Sequence, residues 1–165
     1  MRARRLTPAD VVGDGPASLV GAVLVGSIEL GGRRLAKGTR LDADTARALA
    51  SAAEVGQLAG DLRLVWLDAD DVHEDEAASR LALAVGGAGV DQRPPKQSLL
   101  ELVSKWDGVV HVRHAAIAAI NLIEPLEVFT LFHGQCVQAG DVVAAVKVVP
   151  HVAPADAVRR GVRLA

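Results

Sequence analysis

Residues 134–150 read Gly-Gln-Cys-Val-Gln-Ala-Gly-Asp-Val-Val-Ala-Ala-Val-Lys-Val-Val-Pro. Two glycines bracket one central apolar residue, Val137, and Asp141 follows the second glycine. Glycine admits positive φ, so this pattern predicts two turns with an apolar residue pinning the loop between them. The Val-rich run Asp141 to Val149 then predicts a strand. The same spacing recurs at residues 32–38, Gly-Arg-Arg-Leu-Ala-Lys-Gly, after the Val-rich run Ser18 to Leu30 and before Asp42. Two related β-lobes, one near each end of the chain, are the expected source of this echo.

Between them the pattern turns helical. Asp42 is a good N-cap for a helix carrying Ala46, Leu49, Ala50 and Ala53 at helical spacing. A second helix is predicted from Val72 to Val85, with Glu74, Asp75 and Glu76 suiting the positive end of its dipole. Gln97 to Trp106 fits a third helix with Leu99, Leu100, Leu102 and Val103 on one face. Ala115 to Ile123 is apolar nearly all round and reads as a buried fourth. Leu62 to Leu67 and Leu126 to Phe132 read as strands. The order lacks regular βαβ alternation, so the class expected is α+β: two small β-lobes flanking a helical middle in a single compact domain. Its bounds are 17–155, with an N-terminal arm at 1–16 and a C-terminal tail or short helix at 156–165.

Half of the 165 residues are apolar and 23% are charged, which supports a well-filled core and excludes a disordered tail. Only Trp66, Trp106, Phe129 and Phe132 are aromatic, and the net charge is −2. A base-stacking platform and a basic field for phosphate backbones are both excluded, so no nucleic-acid partner is expected. No apolar run reaches the roughly 18–20 residues of a membrane span, and the basic start Met1 to Arg5 leads into no signal-peptide core. Cys136 is the only cysteine, which removes internal disulfides and Cys-based zinc sites and suits a cytoplasmic protein.

The run Gly134 to Pro150 resembles a segment of bacterial molybdopterin-binding proteins, relatives of molybdopterin molybdenumtransferase and of competence-damage-like proteins. Gly32 to Gly38 is similar to their early hairpin, and Val72 to Ala78 to their acidic helix start. The resemblance spans roughly residues 17–155. It implies a small-molecule-binding or accessory role connected with the molybdenum cofactor. In that family the pterin domain lies downstream and opens on a strand followed by a glycine-rich phosphate loop. Gly86 to Gly89 follows a helix instead, and the chain ends at Ala165, so this polypeptide is expected to carry no pterin or other cofactor by itself.

The candidate chemistry is sparse. Lys147 lies within a Val-rich strand, and Lys96 follows the rigid Arg93-Pro94-Pro95 break at an expected helix start. Arg93, Lys96 and Lys147 are therefore the candidate ligand-binding cations for a small anion, and His114 and Lys147 the candidate catalytic groups. His73 and Glu76 stand at i and i+3 on a helix, as an acid–base pair or as ordinary helix-start residues. His111 and His114 fall on opposite faces of a strand, with His133 or His151 needed to complete a ligand set, so no metal site is expected. Cys136 stands near His133 as a nucleophile candidate or as a structural thiol. Trp106, Phe129 and Phe132 read as core, though a ligand cleft would use the same residues. Three function classes stay open: a non-catalytic binding or accessory domain, a stand-alone enzyme acting on an anionic metabolite in a cleft between the β-lobes and the helices, and a pure dimerisation module. The abundance of apolar strand and helix faces predicts a homodimer.

Overall fold

The computed structural model describes residues 1–95 and 99–165. The protein is α+β, and its chain divides into two compact units, Met1–Ala69 and Asp70–Ala165.

In the first unit the elements are β1 (Arg2–Leu6), α1 (Pro8–Asp14), a 3-10 turn (Pro16–Leu19), β2 (Val23–Leu24), β3 (Ile28–Leu30), β4 (Arg33–Leu35), α2 (Ala43–Glu54) and β5 (Leu62–Trp66). β5 lies between β1 and β2, antiparallel to both. The segment expected to be an arm is thus an edge strand and a helix. Only Leu6 of β1 is buried, and its arginines occupy a sheet edge, where charge is favoured, so composition disguised it. Thr7 starts α1 with a capping box: its hydroxyl accepts from the Asp10 N–H, and the Asp10 carboxylate accepts from the Thr7 N–H at 2.8 Å. Asp42 caps α2 by accepting from the Thr45 N–H at 2.8 Å. Leu6, Leu19, Leu24, Leu49, Leu62 and Leu64 belong to one core here.

The second unit runs β6 (Asp71–His73), α3 (Glu74–Val85), β7 (Val90–Gln92), β8 (Leu99–Ser104), β9 (Gly108–Val109), α4 (His114–Asn121), β10 (Leu126–Thr130), β11 (Cys136–Val137), β12 (Val142–Val148), β13 (Val152–Pro154) and α5 (Ala155–Leu164). Its main sheet has the order β10-β12-β8-β7, all antiparallel. Leu100, Leu102, Val128, Val146 and Val148 share a core with Leu81 of α3 and Val158 of α5. Two expectations are corrected here. Residues 99–104 form a strand, not a helix; Leu100, Leu102 and Ser104 alternate inward as period two requires. α4 buries only Ile120, and Leu122 just beyond it is 87% exposed. Of the two alternatives for 156–165, the helix is present as α5, which packs into the core.

The two glycine motifs adopt the same local structure. Gly32, Gly38, Gly134 and Gly140 all have positive φ, and Leu35 and Val137 are the buried pins. In the first copy the Gly38 N–H donates to Leu24 C=O, the Leu24 N–H to Thr39 C=O, and the Thr39 N–H to Ala36 C=O. In the second the Gly140 N–H donates to Ser104 C=O, the Ser104 N–H to Asp141 C=O, and the Asp141 N–H to Gln138 C=O. Even a side-chain bond is repeated: the Lys37 N–H donates to Ser27 Oγ and the Ala139 N–H to Asp107 Oδ1. Ile28 pairs with Leu35 as Gly108 pairs with Val137. The copies differ at the hairpin tip, where Gly31 and Gly32 turn the first and residues 111–134, including α4 and β10, are inserted in the second.

Candidate functional site

That insertion forms one side of a cavity of about 440 Å³ within residues 70–165. The end of α3 and the turn Gly86 to Gly89 form a second side, and Leu102, Ser104, Val137, Val143 and Ala144 of the strands contribute the floor. The volume suits a small molecule. Most of the lining is aliphatic or glycine; Trp106, His111 and Arg113 are its large polar or aromatic members. α3 ends at Gly86, where the backbone turns extended while its N–H still donates to Ala82 C=O; a Cβ there would meet that oxygen at 3.0 Å.

The insertion also gathers three imidazoles. The His133 ring lies 5.3 Å from His111, edge-on, and 5.8 Å from His114. His133 Nδ1 accepts from the Val112 N–H at 3.1 Å. The Nδ1 lone pair is thereby taken up by the backbone. Among the described residues, no group of three or more His, Cys, Asp and Glu side chains is arranged to hold a metal ion. Among the described residues, too, no carboxylate pairs with Arg113.

The residues expected to form the site are dispersed. Arg93 donates to Glu101 at 2.7 Å and to Gly140 C=O at 3.3 Å, so its charge is already engaged. Lys147 lies on the central strand β12 between the buried Val146 and Val148, facing away from the core, opposite Glu127. It is not part of the cavity wall. Lys96 lies outside the described residues. His114 begins α4 beside His133 and next to Arg113. His73 caps α3, its Nδ1 accepting from the Asp75 N–H, and Glu76 binds Arg80, so that acid–base pair does not form. Cys136 is exposed on β11. Trp106, Phe129 and Phe132 are exposed and not core.

The sequence reading missed one buried pair. Glu74 is 4% exposed and its carboxylate lies 3.1 Å from His151 Nδ1, while the Glu74 N–H donates to His151 C=O. The pair fastens the start of α3 to the segment entering β13, and neither residue lines the cavity. Glu74 looked like one more acid of a first helical turn; only the return of the chain at His151 distinguishes it.

Neither a protein-family model, nor a curated protein, nor a solved structure matches the chain.

Proposed function

We propose that this chain is a small-molecule-binding or accessory module of the molybdopterin-binding type, non-catalytic by itself, whose binding element is the cavity of residues 70–165 and whose ligand is a small anion. The observation that carries the reading is Arg113, which lines a ligand-sized apolar cavity with no carboxylate partner among the described residues. His111 adds a second polar group to the same wall. An anion entering there gains a charge-assisted bond without displacing an ion pair. The sequence motifs support the connection with molybdenum-cofactor proteins.

An NMR titration with small carboxylates and phosphates tests this. Amide shifts concentrated at residues 108–117, lost in Arg113→Gln, are the expected result. Shifts scattered over the surface, or none at millimolar concentration, would overturn it. The rival reading, a stand-alone enzyme acting on an anionic metabolite, is favoured by the three adjacent imidazoles, since such rings serve as general acids and bases. Turnover of a bound acid that is lost in His111→Gln would decide for it.

A homodimer and a cytoplasmic location belong to the same proposal. The dimer is supported by Leu122 and Phe132, 87% and 83% exposed, with Phe129 also exposed. Light scattering should return twice the chain mass at micromolar concentration; the single chain mass throughout that range would reject it. The location is supported by the lone free thiol of Cys136. Among the described residues no helix is long and apolar enough to cross a membrane.

A further inference from the structure

Charge alone does not select among small anions, but the cavity walls do. Trp106 lines the cavity while 58% of its surface stays exposed. Its ring lies beside Gly89, where a Cβ would touch Cζ2 at 3.6 Å. The backbone on either side is tied down. The Lys105 N–H donates to Gly89 C=O at 3.0 Å, and Ser104 Oγ–H donates to the Trp106 C=O at 2.6 Å. The indole thus stands on tied backbone, with its Cζ2, Cε2 and Nε1 side against a glycine turn and most of the ring open. Ser104, which also lines the cavity, spends its hydroxyl on this support. Beyond it the walls present small or branched aliphatic groups, among them Ala84, Gly87, Gly108 and Ala116. A flat π-surface bordering a cavity with thin, apolar walls is complementary to a planar ring.

We infer that the cavity takes a planar aromatic or heteroaromatic acid, its ring laid against Trp106 and its carboxylate held by Arg113; this rests on the anion-binding reading of the same cavity. The ring contributes shape selection, and Arg113 contributes charge selection. Aromatic pairing accounts for about 2-fold to 10-fold in affinity, and loss of a charged hydrogen bond for about 10-fold or more.

Calorimetry on the full chain with three probes separates these contributions. The probes are 2-naphthoate, its fully saturated decahydro analogue and the neutral 2-naphthamide. Naphthoate should bind about 3-fold to 10-fold more tightly than the saturated acid, and at least about 10-fold more tightly than the amide. Trp106→Leu should abolish the first preference and keep the second; Trp106→Phe, which retains a ring, should keep both. Arg113→Gln should abolish the second preference and keep the first. Equal binding of the saturated acid would overturn the planar-ring inference while leaving the anion-binding reading intact. Equal binding of the amide would overturn the role of Arg113 and with it that reading. No binding of either acid at millimolar concentration would overturn both.

Discussion

Gly161 occupies the face of α5 that meets Leu126 and Leu81; a Cβ there would lie 2.5 Å from Leu126 Cδ1 and 3.3 Å from Leu81 Cδ1. Both leucines are buried, so neither end swings aside freely. Alanine gains about 1 kcal/mol over glycine in a helix, but overpacking a filled core costs about 1–3 kcal/mol. Gly161→Ala should therefore lower the urea midpoint; an unchanged or higher midpoint would refute the packing argument. Asp10 and Asp42 carry a different kind of stability. Hydrogen bonds from the Thr7 hydroxyl and backbone hold the Asp10 carboxyl below its ordinary value, and those from the Thr45 backbone and hydroxyl do the same for Asp42. In the unfolded chain these groups take up protons near 3.8, the ordinary value, whereas in the folded chain they do so at lower pH. Their contribution is complete above that value and disappears as pH falls through the lowered ones. The melting temperature should drop between about pH 5 and about pH 2 more steeply in the native protein than in the double variant Asp10→Asn with Asp42→Asn. Coincident profiles would count against the caps.

Among the elements, β10 forms one edge of the four-stranded sheet, yet its edge is not bare. Asn121, at the end of α4, accepts from the Val128 N–H at 2.8 Å and donates to the Val128 C=O at 3.0 Å. A single amide side chain thereby stands in for a neighbouring strand at that residue, which blocks pairing with another chain. Removing it leaves two backbone groups of a buried residue without partners, a loss of about 1–3 kcal/mol. Asn121→Ala should unfold at lower denaturant and aggregate faster at equal concentration; a variant matching the parent in both would exclude this role. These elements also mark how far the sequence could be read. α2 and α3 were legible because the acidic residues at their starts agree with their apolar spacing. β8 was not, because Leu99, Leu100, Leu102 and Val103 satisfy both helical and alternating spacing, and only its partners β7 and β12 decide between them. In the cavity, Trp106 carried two readings, core or ligand cleft, which its residue type does not separate, and Arg113 carried no local signal. His133 joins His111 and His114 only because the inserted α4 and β10 bring the chain back, a distance no sequence spacing expresses.

At the scale of the whole molecule, each unit carries its own core: Leu6 through Leu64 in one, Val72 through Val158 in the other. Since burial supplies most of the folding free energy, a unit whose apolar residues are covered from within should stand alone. The fragment 70–165 is expected to show dispersed amide resonances and cooperative thermal unfolding, and to keep the acid-binding behaviour of the full chain. A collapsed spectrum without dispersion would show that it depends on the rest of the protein. The repeated hairpin has a consequence for protein engineering. Residues 111–134 occupy the tip of the second copy without disturbing the glycine turns, the buried pin or the hydrogen bonds at its base. The tip at Gly31 and Gly32 of the first copy has the same base, and so marks the place in this chain where a foreign loop, epitope or small domain can be spliced with both ends already held.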